Sequence, residues 1–209
     1  MVWLVRHGES EANAGLVTAD FRTIALTDLG KRQAAALALT IDLVPAQIGT
    51  SPYLRARQTA APLLSKYPHL RVLELPVQEF TYLASERCDG LDTASRLPLV
   101  EEYWLRMDHN HKDSADAESF AELCDRAAQF LEVAREWSGP GLVFTHEQFI
   151  RAVLIEVFYG SIPSSTAMRR FYSLRDGLPI PNASICRLEY RDGRWWFGGI
   201  DNSYLENCR

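Results

Sequence analysis

Hydrophobic residues along the chain fall into two kinds of run, which alternate for most of its length. Short runs rich in β-branched and aromatic residues predict buried strands, at residues 2–5, 46–50, 71–75 and 142–145. Longer stretches with apolar residues at helical spacing predict the helices between them, at residues 27–43, 51–66, 99–108, 114–134 and 147–159. This alternation is typical of α/β proteins.

The C-terminal residues have a different pattern. Two predicted strands, 183–190 and 194–200, are joined at Asp192-Gly193, a dipeptide typical of tight hairpin turns. The whole pattern predicts an α/β three-layer sandwich, with a mostly parallel central sheet, helices on both faces and this C-terminal antiparallel hairpin. No repeat or linker divides residues 1–209, so we expect a single domain. Its pattern loosens at about 80–116, which we interpret as an inserted segment over the substrate site.

Residues that favour helix caps mark three of the predicted helix starts. Thr27 precedes the first helix, and Ser51-Pro52 supplies a cap and a first helical residue for the second. Either Ser114 or Asp116 begins the long helix that follows the insertion.

Composition and charge exclude several classes of partner. The 209 residues carry a net charge of -5 at pH 7, whereas nucleic acids and anionic membranes attract basic surfaces. No apolar run approaches the roughly 18 residues of a transmembrane helix. The first residues have the pattern of a strand rather than of a basic export signal, so we expect a cytoplasmic protein.

The cysteines are few and widely spaced. None forms a CxxC pair, so the sequence predicts free thiols and no zinc site, at Cys88, Cys124, Cys186 and Cys208.

The first candidate chemistry lies where the first predicted strand ends, at Arg6-His7-Gly8-Glu9. An Arg fork can clamp the oxygens of a phosphate, and a neighbouring imidazole can attack its phosphorus. Gly8 has no Cβ, so the backbone can turn tightly there and approach a ligand. From these residues alone, a phosphate site and an accidental His at a strand end are both open.

Further reactive residues also follow predicted strands. Ser51 and Arg55 come after the second strand, Glu79 after the third and His146 directly after the fourth. Because ligands of open α/β sheets bind beyond the carboxyl ends of the strands, we expect these residues to meet the Arg-His pair on one rim. The helix start at Ser51 would add unpaired N–H groups there. A cationic pocket in an acidic protein favours a small anion.

These motifs resemble the histidine phosphatase superfamily, in its phosphoglycerate-mutase-like branch. The resemblance covers most of the chain and is strongest in three blocks, which are Leu-Val-Arg-His-Gly-Glu-Ser at 4–10, Ser-Pro-Tyr-Leu-Arg-Ala-Arg-Gln-Thr-Ala at 51–60 and Leu-Val-Phe-Thr-His at 142–146. Weaker matches lie at Asn13, residues 26–34, residues 118–120 with Arg126, and residues 182–184.

The resemblance implies a role for each central residue. His7 takes the phosphoryl group and then yields it to water, which requires a neutral attacking nitrogen and a hydrogen bond from the other nitrogen. Arg6, Arg55 and His146 hold the phosphate oxygens. Glu79 protonates the departing alkoxide and needs a raised pKa. No metal or cofactor is implied, since arginines supply the positive charge.

Several assignments leave alternatives open. Glu86 competes with Glu79 for the acid role, and Arg57 is a neighbouring rival of Arg55 that we interpret as a solvated helix residue. Asn13 either contacts the phosphate or caps a turn. The remaining histidines lie in polar contexts and are expected to be solvated, at His69, His109 and His111.

Glu147 departs from the family pattern, which usually has Gly after the second His. Its backbone N–H remains available for phosphate. Its carboxylate either repels a second negative charge, selects a cationic substrate group or points away from the pocket.

The predicted function is metal-independent hydrolysis of a small phosphate monoester. One alternative is a phosphoglycerate mutase, of which the segment Glu-Arg-Cys-Asp-Gly at 86–90 keeps only part of the motif. The other is a catalytically silent binding module.

The substrate should be recognised by the insertion and by the loop at 20–23, with candidate lining residues Tyr82, Arg87, Arg96, Tyr103 and Trp104. The sequence does not determine the oligomeric state, although the terminal hairpin offers an edge for pairing.

Overall fold

The computed structural model describes residues 1–160 and 162–208, and its centre is a six-stranded sheet. In chain order the strands are β1 Val2–Arg6, β2 Gln47–Thr50, β3 Val72–Glu74, β4 Gly141–Thr145, β5 Ile185–Arg191 and β6 Arg194–Asp201. They lie in the order β3-β2-β4-β1-β5-β6, of which the first four are parallel. β5 pairs antiparallel with both β1 and β6, so the predicted mixed sheet is confirmed.

Helices connect the strands in the predicted alternation. They are α1 Asp28–Thr40, α2 Leu54–Lys66, α3 Ser85–Cys88, α4 Leu97–Arg106, α5 Phe120–Arg135, α6 Glu147–Tyr159 and α7 Ser165–Gly177, and a 3₁₀ helix at Ser203–Cys208 follows β6. The sequence pattern does not predict α7 or the 3₁₀ helix. In α7 the buried side chains are Ala167, Met168 and Phe171, too few for a clear apolar face.

Two hydrophobic cores cover the two faces of the sheet. Val2 and Leu4 of β1 point into one core, which contains side chains of α5 and α6. Val5 of β1 and Phe144 of β4 point into the other, with side chains of α1 and α2. The alternation along β1 follows from the two-residue period of a strand. The helices therefore lie on both faces, as the sequence predicts.

One of the three predicted helix caps is confirmed. The Thr27 side chain accepts a hydrogen bond from the Gly30 N–H, although α1 ends earlier than predicted. The other two predictions were wrong. Ser51 continues the pairing of β2, because its N–H donates to the Phe144 carbonyl, and α2 begins only after Tyr53.

The long helix α5 also begins later than predicted. Its cap is Ser119, rather than Ser114 or Asp116, and a capping box joins it to Glu122. The reciprocal hydrogen bonds of that box satisfy two backbone donors at once, which fixes the start of the helix.

The terminal hairpin turns where the sequence predicts. Asp192 has φ 53° and Gly193 has φ 77°, the left-handed conformations of the two-residue turn that suits twisted strands.

The insertion at about 80–116 contains α3 and α4 and lies against the loop after β1. The Thr93 hydroxyl donates to the Ala12 carbonyl over 3.1 Å, and Arg96 donates to the Thr18 carbonyl over 3.0 Å. These contacts place the insertion over the carboxyl end of β1, where the motif residues lie.

Two general features complete the fold. No helix within the described residues has the length and apolar character needed to cross a membrane. The thiols of Cys88, Cys124, Cys186 and Cys208 are free.

Candidate active site

A cavity of about 410 Å³ opens at the carboxyl ends of β1 and β4. Arg6, His7, Arg55 and Glu79 all line it, although they come from different parts of the sequence. His146 lies directly behind His7, fully buried, with the centroids of the two rings 5.1 Å apart. The structure thus brings together all five central residues that the sequence analysis selects.

Hydrogen bonds on both sides of the His7 ring determine its tautomer. Nδ1 lies 2.7 Å from the Gly8 carbonyl oxygen, which can only accept, so Nδ1 carries the proton. Nε2 accepts a hydrogen bond from Arg55 Nε over 3.2 Å. Nε2 therefore presents a lone pair beside a guanidinium group, as a nucleophile that attacks phosphorus requires.

Burial and positive charge keep His7 neutral. Loss of solvent is the main cause that lowers its pKa well below the ordinary 6.5, and the charges of Arg55 and Arg6 lower it further. A neutral imidazole keeps its lone pair available at physiological pH.

His146 is oriented by a residue to which the sequence analysis gives another role. Its Nε2 lies 2.8 Å from the Ser51 hydroxyl oxygen, while its Nδ1 has no partner among the described residues. The Tyr53 ring packs against His146 with centroids 5.3 Å apart. Burial also lowers the pKa of His146 well below its ordinary value, so this ring is neutral in the free protein.

The two pocket arginines are held in different ways. Arg55 Nη1 donates to the Phe21 carbonyl over 2.6 Å, and its guanidinium stacks on Tyr53. Arg6 Nη1 donates to the Ile180 carbonyl over 2.5 Å and forms an ion pair of 2.8 Å with Glu147. Both forks are thereby fixed at the cavity wall before a ligand arrives.

Glu147 points into the cavity rather than away from it. Its two carboxylate oxygens bridge Arg6, over 2.8 Å, and Arg151, over 2.6 Å. Of the alternatives open at the sequence level, a carboxylate directed away from the pocket is therefore excluded.

Glu79 lies in the cavity with the properties expected of an acid. Its Oε1 accepts from the backbone N–H groups of Phe80 and Gln148. Burial raises its pKa above the ordinary 4.5, and although the Arg55 charge lowers that pKa, the Glu147 charge raises it again. A raised pKa allows a carboxyl group to hold a proton for a leaving group.

Glu86, the rival of Glu79, does not line this cavity. It is exposed and lines a separate shallow hollow with Asp20, Phe21 and Asp89. The geometry therefore favours Glu79 for any proton transfer at His7.

A family model for the histidine phosphatase superfamily (branch 1) matches residues 2–203. The chain belongs to the histidine phosphatase superfamily. The resemblance seen in the sequence motifs is thereby confirmed, and the family supports the expectation of a phosphatase enzyme.

Several solved structures with the same fold carry the names of phosphatases. A phosphoserine phosphatase mutant from Entamoeba histolytica, in complex with phosphoserine, superposes with a TM-score of 0.72 at 19% identity and covers 97% of this chain and 96% of its own. An α-ribazole phosphatase from Shigella flexneri superposes with a TM-score of 0.74 at 20% identity and covers 97% of this chain and 96% of its own. A mycobacterial glucosyl-3-phosphoglycerate phosphatase superposes with a TM-score of 0.69 at 22% identity and covers 95% of this chain and 97% of its own. A search of curated proteins finds no match.

The loop that carries His7 in this histidine phosphatase is anchored by backbone contacts. The Gly8 N–H donates to the Thr59 hydroxyl over 3.0 Å, and a Cβ on Gly8 would lie 2.6 Å from the Gly30 carbonyl oxygen. The absent Cβ thus allows close packing against the start of α1, whereas the sequence analysis explains Gly8 by the approach of a ligand. Asn182 donates to the His7 carbonyl over 3.1 Å and to Asn13.

Asn13 caps a turn and also lines the cavity. Its Oδ1 accepts from the Ser10 N–H and hydroxyl, and Asn13 is among the residues that line the cavity. Arg57 pairs with Glu74 at the surface over 2.8 Å, as expected of a solvated helix residue. The cavity lining does not include the three remaining histidines, His69, His109 and His111.

The insertion contributes part of the cavity wall. Tyr82, Arg96 and Trp104 line the cavity as predicted. Tyr103 does not line it, because its ring is buried against neighbouring aromatic rings. Arg87 is also outside, held by Glu102 and Asp113. From the loop at 20–23, Phe21 reaches the cavity.

Sequence reasoning missed several residues that shape the site. They are the aromatic Tyr53, the buried Arg151 and the bridging Asn182, and Ser51 was expected on the rim as a helix cap rather than as the partner of His146. Asn182 lies in a matched block of the sequence, and Ser51 follows β2, so both carried a signal. Arg151 is one helical turn after Glu147, a spacing typical of a helical ion pair.

Within the described residues, no three or more His, Cys, Asp or Glu side chains form a group that could hold a metal ion.

Proposed function

We propose that this protein hydrolyses a small phosphate monoester through a covalent phosphohistidine on His7. The observation that carries the proposal is the pair of hydrogen bonds on the His7 ring. The Gly8 carbonyl holds the proton on Nδ1, and Nε2 faces the cavity side occupied by Arg55. Family membership and the solved phosphatases of the same fold support this reaction class.

In the first step the Nε2 lone pair of His7 forms a bond to phosphorus as the ester P–O bond breaks. The departing oxygen takes the proton of Glu79, which leaves Glu79 ionised. Arg6, Arg55 and His146 stabilise the charge on the phosphoryl oxygens, because phosphoryl transfer depends mainly on positioning and electrostatics.

In the second step a water molecule attacks the phosphorus. Glu79 takes the proton from that water, the N–P bond breaks, and its electron pair returns to Nε2. Inorganic phosphate leaves, and His7 and Glu79 regain their initial protonation states. We infer that Asn13, which lines the cavity, also contacts the phosphate.

Hydrolysis is favoured over the two alternative functions. Glu86, in the segment that partly matches the mutases, is exposed and outside the cavity. A silent binding module would not need an oriented nucleophile beside an acid with a raised pKa, yet both are present here.

The test is release of inorganic phosphate from a panel of phosphorylated metabolites, without a bisphosphate primer. We expect turnover by the natural protein and none by His7→Ala. His69→Ala, which removes an exposed His, is the matched control and should retain full activity. Equal activity of His7→Ala would refute the phosphohistidine reaction, and strict dependence on a primer would favour the mutase.

A further inference from the structure

The phosphate clamp is already occupied by a carboxylate of the protein itself. Glu147 Oε2 lies 2.8 Å from Arg6 Nη1, and the Arg6 side chain is only 13% exposed. Under the proposed function, on which this inference rests, the same guanidinium must bind the phosphoryl oxygens. Arg6 has further N–H groups, including a buried Nε without a partner among the described residues. A phosphate dianion and a carboxylate on the same guanidinium would nevertheless lie close together and repel each other, which favours a shift of Glu147 away from Arg6.

Arg151 offers Glu147 a second position. It lies one turn further along α6, and its Nη2 donates to Glu147 Oε1 over 2.6 Å. Its side chain is 3% exposed, and its buried Nε has no partner among the described residues. A guanidinium with a free N–H can donate to the second carboxylate oxygen and so form a bidentate pair.

The charges of the cavity agree with such an exchange. The cavity lining holds five guanidinium groups, and with Glu79 protonated Glu147 is its single carboxylate; the arginines are Arg6, Arg55, Arg96, Arg151 and Arg175. When Glu147 pairs with Arg151, the charges of Arg6 and Arg55, which act on His7, are left for a phosphate dianion.

We propose that Glu147 is a mobile counter-ion that holds Arg6 while the phosphate site is empty and moves onto Arg151 when a phosphoryl group binds. It acts as a positioning residue. Its competition for Arg6 weakens the binding of inorganic phosphate and so favours release of the product.

The test measures the dissociation constant of inorganic phosphate by calorimetry, without turnover. Glu147→Gln removes the competing charge at constant size and should bind phosphate about tenfold more tightly. Arg151→Met removes the second position, which leaves Glu147 on Arg6, and should weaken binding by about threefold. The double variant should bind like Glu147→Gln, because Arg151 acts only through Glu147.

Controls exclude general charge effects and misfolding. Glu101→Gln, an equal charge change at an exposed residue of α4 outside the cavity lining, should leave phosphate binding unchanged. Glu147→Gly removes the whole side chain and should match Glu147→Gln. The product inhibition constant of phosphate in turnover should fall by the same factor in both Glu147 variants.

Unchanged or weaker phosphate binding by both Glu147 variants would overturn the proposal. The proposal would also be overturned if Arg151→Met weakened phosphate binding equally in the natural protein and in Glu147→Gln, since Arg151 would then contact phosphate directly. Neither result depends on hydrolysis. A protein that binds phosphate in this pattern but releases none from esters would instead contradict the proposed function alone.

Discussion

Two neighbouring residues of the cavity have pKa values shifted in opposite directions by the same burial. Loss of solvent lowers the pKa of His7 and raises that of Glu79, because in each case the neutral form is favoured. In the free protein, burial therefore favours the unprotonated imidazole of His7 and the protonated carboxyl group of Glu79. This combination is what transfer of a phosphoryl group to His7 requires.

The pH dependence of the reaction should show two limbs with different origins. As the pH falls through the lowered pKa of His7, the nucleophile is protonated and kcat/KM declines. As the pH rises through the raised pKa of Glu79, the acid loses its proton and kcat/KM declines again. Glu79→Gln cannot donate a proton, so we expect a loss of about 10²–10⁴-fold and no alkaline limb from this carboxyl.

The identity of the leaving group sharpens this prediction. The loss caused by Glu79→Gln should be larger for an alkyl phosphate than for nitrophenyl phosphate, whose leaving group departs without a proton. The matched control is Glu86→Gln, which should keep the alkaline limb. If Glu86→Gln abolished that limb and Glu79→Gln preserved it, the two carboxylates would exchange roles.

Residue identities at the site could be predicted from sequence, but their contacts could not. Arg6, His7 and His146 adjoin buried strands, and parallel strands bring their carboxyl ends to one rim. The bond between Ser51 and His146 depends instead on two side-chain rotamers from different strands. The orientation of Glu147 likewise depends on Arg151, which is buried only in the folded chain.

Among the larger elements, the segment after β1 packs closely against the start of α1 beside His7. Gly8→Ala would place a Cβ 2.6 Å from the Gly30 carbonyl oxygen, a backbone atom that cannot move by itself. We expect this variant to lose about 1–3 kcal/mol in the free energy of unfolding, measured with urea. It should also lose activity, because the Gly8 carbonyl orients His7.

Gly177→Ala is the matched control for this substitution. Gly177 ends α7, and a Cβ there would meet no atom within 4 Å. We expect its free energy of unfolding to stay within about 0.5 kcal/mol of the natural protein or to rise. Equal stability of the two alanine variants would contradict close packing at Gly8.

Strands and helices could be predicted where the apolar pattern was dense, but the residues at which they begin and end could not. The strands β1 and β4 are apolar except at their last residues, Arg6 and Thr145, and the alternation of strands and helices predicts a parallel sheet. Ser51 illustrates the difficulty at helix starts, because its hydroxyl accepts from the Tyr53 N–H in a turn instead of capping a helix. α7 has a mostly polar sequence and becomes apparent only through packing.

Over the whole molecule, positive charge is concentrated in one cavity although the chain is acidic. The chain carries a net charge of -5, yet one cavity gathers the guanidinium groups of Arg6, Arg55 and Arg151. This contrast favours a small anion over a polyanion as the ligand. The residues from the insertion, such as Tyr82 and Trp104, leave most of the cavity wall apolar and therefore suit the organic part of an ester.

The proposed reaction depends on a covalent phosphohistidine at Nε2 of His7. The most direct measurement is a rapid alkaline quench during turnover, followed by digestion and mass spectrometry of the phosphopeptides, since phosphohistidine survives in base. We expect phosphate on His7, linked at Nε2, during turnover by the natural protein and its absence from His7→Ala. Turnover without any phosphohistidine, or with the phosphate on His146, would refute a covalent intermediate on His7.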